Sequence, residues 1–328
     1  MQFDTVDPAR LGRVAVLMGG MSPEREVSLL SGRGVLEALL SKGVDAKGFD
    51  PAVEPIESLR GNFDRVFIAL HGRFGEDGSV QGVLEYLQIP YTGPGVCASA
   101  VAMNKALTRT IWAAGGLPVA KGLALSAGGR PEEGAGKVLQ ALGGDVVVKP
   151  VSDGSSLGVT RLKGAGLSEI SAALAKAQDF HEGVLVEERI FGRELTVAIV
   201  DGKALPIIEI KAPEGDYDYH NKYFGNAVVY DCPAALDKDT AARVARASEE
   251  AFAALGARGW GRVDVMLRDD GSFVLLELNT SPGMTPHSLV PMAARALGVD
   301  YAGLCMHLAA HAALDHVLQQ APKAPKAA

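Results

Sequence analysis

Residues 259–289, which read GWGRVDVMLRDDGSFVLLELNTSPGMTPHSL, decide the fold of this 328-residue chain. Polar and apolar residues alternate from Arg262 to Met266, which is the period of a half-buried strand. Asp269-Asp270-Gly271 is a turn signal, and the mainly apolar run 273–279 reads as a second strand. The stretch therefore predicts a β-hairpin that leads into a glycine-containing loop.

A four-residue hairpin loop, 269–272, sets the expected register of the two strands. The predicted opposing pairs are Arg268 with Phe273, Asp264 with Glu277, and Arg262 with Asn279. Directly opposed residues project from the same face of a sheet. One face of the hairpin is therefore expected to carry two carboxylates, an amide and a guanidinium.

This group of side chains predicts a metal site with oxygen ligands. Carboxylate and amide oxygens suit Mg²⁺ or Mn²⁺ and not zinc. A neighbouring guanidinium indicates that charge develops on a phosphoryl or carboxyl group. The alternative is a solvated acidic strand with a structural salt bridge. The position of Glu277 in an apolar run favours the metal site, because an unpaired buried carboxylate costs roughly several kcal/mol.

The composition indicates an ordinary globular protein of two or three domains. Hydrophobic residues make up 48% and charged residues 22% of the chain. We expect no membrane span, because no apolar run reaches about 18 residues, and no secretory signal. A net charge of −7 argues against a general nucleic-acid surface. The widely spaced Cys97, Cys232 and Cys305 indicate reduced thiols in a cytoplasmic protein.

The first part of the chain has the pattern of a doubly wound α/β domain. A buried strand at 14–18 is followed by Gly19-Gly20 and by a helix that Ser22 is expected to cap. Glu24 falls in the first turn of that helix, where ligands of such domains gather. It is either a functional carboxylate or only a partner of the helix dipole.

A second strand end carries His71, directly after the buried strand 66–70. Three glycines follow within 72–78, which is typical of a functional loop. A lone histidine is more often structural, so both interpretations stay open.

Phosphate-binding features appear in the middle of the chain. A single helix is predicted over 96–114, with Lys105 on it, and Lys149 ends a strand at 145–150. The next loop, 151–158, reads VSDGSSLG and can offer backbone N–H groups and hydroxyls to phosphate oxygens. It could equally be a plain hairpin loop, although the preceding Lys149 favours a triphosphate clamp.

A long polar segment, residues 212–228, reads APEGDYDYHNKYFGNAV. Loops of this length are usually lids or disordered segments. Three tyrosines and a phenylalanine favour a lid that packs when it closes.

Seven motifs, spread over about residues 12–314, resemble a known family. They are GlyGly-x-Ser-x-GluArgGluValSer (19–28), AlaLeuHisGly (69–72), GlyGluAspGly (75–78), TyrThrGly (91–93), GlySerSer (154–156), GlyTrpGlyArg-x-Asp (259–264) and Glu-x-AsnThrSerProGlyMetThr-x-HisSer (277–288). Together they resemble the D-alanine–D-alanine ligases of the ATP-grasp superfamily.

The resemblance implies an α/β fold with α+β character in its ATP-binding part. An N-terminal doubly wound α/β domain would precede an ATP-grasp pair of domains that grip ATP between two antiparallel sheets. The expected boundaries are 1–93, 94–194, 195–314 with a lid at 212–228, and a disordered tail at 315–328. A cytoplasmic location and a possible homodimer are further expectations, with no nucleic-acid or membrane partner.

The resemblance also implies roles for individual residues. ATP phosphates would be held by Lys105, Lys149, Lys222 and Ser155, adenine by Glu187 and Glu188, and ribose by Glu194. Two Mg²⁺ or Mn²⁺ ions would be bound by Asp264, Glu277 and Asn279. Glu188 departs from the family pattern, because a basic residue is common at its position.

Further roles concern the two D-alanine molecules. Glu24 would bind the ammonium group of the first, with His71 near its carboxylate, and Ser288 with the Leu289 N–H the carboxylate of the second. Arg262 and the Gly283 N–H would stabilise the oxyanion. A hydrogen-bonded contact among Ser155, Tyr223 and Glu24 would latch the lid.

The implied activity is ATP-dependent ligation of two D-alanine molecules for peptidoglycan precursors of the cell wall. An acyl phosphate would form first, and ADP and phosphate would be released. The alternatives are another ATP-grasp carboxylate–amine ligase, a D-alanine–D-lactate ligase, or a non-enzymatic nucleotide-binding regulator.

Overall fold

The computed structural model describes residues 3, 6–152, 158–179, 183–211 and 228–317. Its helices are α1 (Arg25–Ser41), α2 (Ser79–Leu87), α3 (Val96–Met103), α4 (Lys105–Ala114), α5 (Pro131–Leu142), α6 (Leu167–Gln178), α7 (Lys238–Ala254), α8 (Leu289–Ala296) and α9 (Tyr301–Ala310). Its strands are β1 (Val14–Leu17), β2 (Ala46–Phe49), β3 (Arg65–Ile68), β4 (Gly122–Leu125), β5 (Val146–Pro150), β6 (Thr160–Arg161), β7 (Val184–Glu188), β8 (Arg193–Val200), β9 (Lys203–Ala204), β10 (Ile208–Lys211), β11 (Val229–Asp231), β12 (Trp260–Leu267) and β13 (Phe273–Asn279).

The N-terminal sheet is parallel, in the order β2-β1-β3. All four residues of β1 are buried, as expected for a strand covered on both faces. The prediction that Ser22 caps α1 is wrong, because the helix begins at Arg25 with Glu24 in the N-cap position. The Ser22 hydroxyl instead donates to the His71 carbonyl at 2.8 Å and accepts from the Glu24 N–H at 3.2 Å. It therefore ties the loop before α1 to the end of β3.

Two antiparallel sheets follow, as the α/β fold prediction required. The first has the order β4-β7-β5-β6, and its core includes residues of α5 and α6. The second has the order β11-β10-β8-β12-β13 with β9 paired to β8, and α7 contributes to its core. The three-domain division stays a prediction. The boundary at 194 falls inside β8, and Asp315 of the expected tail bonds to Arg258 at 2.9 Å.

The β12–β13 hairpin has the predicted pairs at its functional end. Arg262 opposes Asn279 and Asp264 opposes Glu277. The predicted pairing of Arg268 with Phe273 is wrong, because Leu267 opposes Phe273. Toward the turn the register shifts by one residue, since a β-bulge lies between Asp264 and Val265. The predicted register therefore holds only on the side of the bulge that is away from the turn, where the site residues lie.

The single helix predicted over 96–114 is also wrong, because the chain breaks into α3 and α4 at Asn104. Asn104 has an extended backbone (φ −90°, ψ 96°), and its side chain accepts from the Leu107 N–H at 3.0 Å. Asparagine is among the best N-cap residues. The break makes Lys105 the first residue of α4, and its N–H donates to the Val151 carbonyl at 3.0 Å.

Within the described ranges, no single helix is long and apolar enough to cross a membrane. Helices α8 and α9 meet that test only as a pair, with a bend of 105° between them.

Candidate active site

The carboxylate of Asp264 is the centre of a buried hydrogen-bonded cluster. Arg262 donates to both of its oxygens, from Nε at 2.9 Å and from Nη2 at 2.8 Å. The Thr196 hydroxyl donates to Oδ1 at 2.6 Å, from the opposing position on β8. Asn279 Nδ2 donates to Oδ2 at 3.0 Å. The predicted group of Arg262, Asp264 and Asn279 is thus brought together on one face.

Glu277, opposite Asp264, completes the predicted metal-binding group and reaches a lysine. Its Oε2 lies 3.4 Å from Lys105 Nζ. The side chain is 27% exposed, so it is not the buried, unpaired carboxylate that the apolar run indicated. The break at Asn104 places Lys105 at the start of a helix, beside this carboxylate. A crevice lies between the loop that carries Glu76 and the end of β13. Its lining includes Glu76, Lys105, Glu277, Asn279 and Thr280.

A second charged group lies on the four-stranded sheet. Lys149 Nζ and Glu187 Oε2 are 2.5 Å apart, and Arg109 Nε lies 3.6 Å from Glu187 Oε1. Both Lys149 and Glu187 are buried. A buried acid is stable only when it is paired, and Glu187 has two cations beside it. The neighbouring Glu188 accepts from the Lys121 N–H at 2.9 Å and lies 3.4 Å from Arg268 Nη2.

Glu24 is buried at the start of α1, and its side chain does not cap that helix in the described first turn. It lies against Gly72, where an added Cβ would overlap Glu24 Oε2. Gly72 has φ +68°, a left-handed conformation that favours glycine. A glycine at 72 therefore makes room for the Glu24 carboxylate at the end of β3.

His71 is buried, and both ring nitrogens have partners. Nδ1 lies 2.9 Å from the Ser281 carbonyl, and Nε2 lies 3.0 Å from Ser31 Oγ. A carbonyl can only accept, so Nδ1 carries the proton in this bond. Ser31 Oγ also accepts from the Met284 N–H at 3.2 Å. His71 and Ser31 together hold the loop that carries Gly283.

The loop after β13 ends at the N-terminus of α8. Ser288 is the N-cap, and its Oγ accepts from the Thr285 N–H at 3.0 Å. A Cβ at Gly283 would come 3.1 Å from Ser288 Oγ, so the two positions are close. Leu289, the first helical residue, contributes one of the N–H groups that have no partner within the helix and with which helix N-termini attract anions.

Glu76 is a site residue that sequence reasoning did not assign. The GlyGluAspGly motif (75–78) was the available signal, although it gave no role for the acid. Glu76 Oε1 lies 3.8 Å from His71 Nδ1. Burial raises the pKa of Glu76 above its ordinary value of 4.5, His71 opposes this, and the charge of Glu24 adds to it. The first domain therefore presents two carboxylates and an imidazole together.

The remaining predicted residues divide into two groups. Glu194 lies in β8, between Ile210 of β10 and Met266 of β12. Ser155, Lys222, Tyr223 and almost all of the lid at 212–228 lie outside the described residues, as does the latch that they were expected to form.

The group formed by Asp264, Glu277 and Asn279 fits a hard divalent cation. Two carboxylates and an amide supply oxygen donors only, which is the preference of Mg²⁺ and Mn²⁺. Arg262 pairs with Asp264 and Lys105 pairs with Glu277, so each carboxylate has a positive charge beside it. The donor set therefore agrees with the metal that the sequence predicted.

An α/β domain is followed by two antiparallel sheets, each with one carboxylate that pairs with a lysine, which agrees with the ATP-grasp class of enzymes that the resemblance implies. The family model described as D-ala D-ala ligase C-terminus matches residues 111–310, and that for the N-terminus matches residues 45–94. The chain belongs to the D-alanine–D-alanine ligase family.

Curated relatives and solved structures agree with this assignment. The chain is 51% identical over 316 residues to the D-alanine–D-alanine ligase of Delftia acidovorans, which covers 94% of this chain and 95% of the relative. It is 53% identical over 299 residues to that of Aromatoleum aromaticum, with 91% and 95% covered. The D-alanine–D-alanine ligase of Bacillus anthracis, solved in complex with ATP, superposes with a TM-score of 0.78 at 30% identity, covering 90% and 96% of the two chains.

Proposed function

We propose that this protein joins two D-alanine molecules to D-alanyl-D-alanine, with ATP as the energy source. One observation carries the proposal. Asp264, Glu277 and Asn279 share one face of the hairpin, with Lys105 and Arg262 paired to its acids. Metal ligands and a lysine suit the transfer of a phosphoryl group to a carboxylate, and a guanidinium suits stabilisation of the oxyanion that follows. The product would serve peptidoglycan synthesis.

ATP would bind between the two antiparallel sheets. Lys105 and Lys149 would contact its phosphates. In the structure these lysines pair with Glu277 and Glu187, which would then contact the metal ions and adenine. Two Mg²⁺ or Mn²⁺ ions, held by Asp264, Glu277 and Asn279, would neutralise charge on the transferring phosphoryl group. Glu187 and Glu188 would contact adenine, and Glu194 the ribose.

Glu24 would bind the ammonium group of the first D-alanine, at the end of β3. The N-terminus of α8, with Ser288 and the Leu289 N–H, would receive the carboxylate of the second. The γ-phosphoryl group of ATP would pass to the carboxylate of the first D-alanine, with release of ADP. The free amine of the second would attack the acyl carbon, and Arg262 and the Gly283 N–H would stabilise the tetrahedral oxyanion. Its collapse would break the bond to phosphate, which leaves, and would form the amide.

His71 would act as a positioning residue. Its bond to the Ser281 carbonyl, and the bond of Ser31 to the Met284 N–H, bracket Gly283 from both sides. An oxyanion donor must be fixed before the charge develops, because reorganisation during the reaction reduces the stabilisation. His71 would therefore have two effects. It would lie near the carboxylate of the first D-alanine, and it would hold the loop that carries the Gly283 N–H.

The test is release of ADP by the purified protein with Mg²⁺, ATP and D-alanine as the only amino acid. We expect ADP release that depends on D-alanine, with D-alanyl-D-alanine as the product. ADP release that needs a different carboxylate or amine would assign another ATP-grasp ligase. ATP binding without any turnover would assign a nucleotide-binding regulator.

A matched pair of variants makes this test specific. Asp264→Asn removes one carboxylate of the proposed metal site, whereas Asp269→Asn makes the same chemical change at an exposed turn position. Activity should be lost only in the first. A cytoplasmic location and a homodimer rest on the family resemblance alone, and size-exclusion chromatography with light scattering tests the second.

A further inference from the structure

A second cluster of ligand-type side chains lies where the C-terminal helix meets the end of β8. Asp201 directly follows β8, His307 lies in the last turn of α9, and His311 is the residue after that helix. One ligand atom from each of the three lies within 4.8 Å of the other two. The two histidines are four residues apart, which places them on one helix face.

Both imidazoles converge on a single carboxylate oxygen. Nε2 of His307 is 2.7 Å from Asp201 Oδ2, and Nε2 of His311 is 3.8 Å from the same atom. The ring centroids of the two histidines are 4.2 Å apart. Small movements of these side chains would bring all three donor atoms to about 2 Å from a common centre, the distance of a zinc–ligand bond.

The backbone fixes which nitrogen of His311 faces the cluster. Its Nδ1 lies 2.8 Å from the His307 carbonyl. Because a carbonyl only accepts, Nδ1 carries a proton in this bond, and Nε2 is the nitrogen on the Asp201 side, 3.8 Å from Oδ2. Metal-binding histidines commonly donate their second ring N–H to a backbone carbonyl in this way.

The backbone of Asp201 is anchored at the end of β8. Its φ is +49°, a left-handed conformation that aspartate adopts more readily than most residues, and its N–H donates to the Gly259 carbonyl at 2.7 Å. His307 is buried beneath it and packs against the ring of Phe3 at 4.7 Å. The Asp201 and His311 side chains are 33% and 37% exposed, so the cluster has a buried wall and a side open to water.

We propose that Asp201, His307 and His311 bind a divalent transition-metal ion, and that Zn²⁺ fits this donor set best. Two imidazoles and one carboxylate suit zinc, with water as the fourth ligand on the open side. Mg²⁺ prefers oxygen ligands, so this site should discriminate against the metal expected at Asp264 and Glu277. The bound ion would join α9 to the end of β8, across 106 residues of sequence.

The experiment titrates ZnCl₂ into the metal-stripped, full-length protein by isothermal calorimetry, with excess Mg²⁺ present throughout. We expect one Zn²⁺ per chain and a rise in melting temperature with zinc concentration, since an ion that binds only the folded state stabilises it. Changes in the surroundings of a metal ligand already weaken binding roughly 10- to 100-fold. Loss of a ligand in His311→Ala or Asp201→Asn should therefore weaken binding by at least as much.

Two control variants test whether side chains outside the cluster bind the zinc. His316→Ala removes an exposed histidine from the neighbouring chain, and Cys97→Ser removes an exposed thiol. Both should bind zinc as the unchanged protein does. Substitution with Co²⁺ adds a spectroscopic check, because thiolate ligands give a strong charge-transfer absorption that histidine and aspartate do not.

His307 is buried, so its substitution could unfold the protein, and the test does not depend on it. His311 and Asp201 are part-exposed, and circular dichroism would check that their variants fold. Absence of zinc binding in the unchanged protein would overturn the proposal. Equal binding by His311→Ala and His316→Ala, or loss of binding in Cys97→Ser, would overturn it as well.

Discussion

Arg262 and Asp264 bind each other through two parallel hydrogen bonds, with Nε–Oδ1 and Nη2–Oδ2 distances of 2.9 and 2.8 Å. The two residues lie on one face of β12, two positions apart. Bidentate guanidinium–carboxylate pairs are among the stronger hydrogen-bonded contacts in proteins. A cation bound by Asp264 would compete with Arg262 for the same oxygens. Metal binding and release of the guanidinium toward substrate would therefore be coupled.

Asp264→Asn should reduce turnover by about 10²-fold or more, because the metal loses an anionic ligand on which several kcal/mol of stabilisation depend. Steady-state ADP release at saturating Mg²⁺ measures the effect. Circular dichroism would check that the variant still folds, because the change also breaks the buried pair of Asp264 with Arg262. Near-normal turnover in this variant would contradict the metal assignment, and Asp269→Asn is the matched control.

Arg262→Lys should reduce kcat by about 10²-fold while the KM for ATP stays near its original value. Lysine keeps the charge but loses the planar fork, and removal of one oxyanion donor costs a factor of this size. The comparison variant is Arg246→Lys, which makes the same change at an exposed position of α7. A large rise in the KM for ATP with normal kcat would instead place Arg262 at the nucleotide.

Glu187→Gln should weaken ATP binding and destabilise the protein by about 3–5 kcal/mol, the usual loss when a buried pair is broken. Lys149 would remain buried without its carboxylate partner at 2.5 Å. Urea unfolding and calorimetric ATP titration measure the two effects. Glu188→Gln is the matched control, because Glu188 is adjacent but 29% exposed, and its effect on stability should be much smaller. Equal losses in both variants would show that burial of Glu187 is not the cause.

Glu76→Gln should change how stability depends on pH. The folded-state pKa of Glu76 is raised, so its contribution is fully present below the ordinary value of 4.5 and is lost as the pH rises through the folded-state value. The variant lacks this loss. The free energy of unfolding of Glu76→Gln, relative to the unchanged protein, should therefore increase from pH 4.5 upward. Urea titrations at several pH values measure this difference, and a constant difference across that range would exclude the raised pKa.

The residue pairs at the functional end of the hairpin could be predicted from the sequence, although the loop length assumed for that prediction was wrong. The prediction assumed a four-residue loop and a regular ladder. In the structure Leu267 opposes Phe273, which leaves residues 268–272 in the loop, and the β-bulge adds one residue to β13. The longer loop shifts the register by one residue, and the bulge shifts it back. Asp264 and Glu277 therefore oppose each other as predicted, because two local deviations cancel.

Other features of the site were not accessible from sequence patterns. The break between α3 and α4 depends on Asn104, whose residue type fits a cap but does not by itself interrupt a helical pattern. His71 has two partners, Ser31 and Ser281. Both are distant from it in sequence, and no motif links them to it. The strands that carry the site residues follow local periodicity, whereas the His71–Ser281 contact forms only when the end of β3 packs against the loop after β13.

The bond between His71 and the Ser281 carbonyl spans 210 residues of sequence. A ribosome that adds about 5–20 residues per second makes His71 roughly 10–40 s before Ser281. During that interval the loop that carries Gly283 does not yet exist. The proposed ability to stabilise the oxyanion would therefore arise late in synthesis, because a chain that stops before residue 281 lacks the loop that carries Gly283.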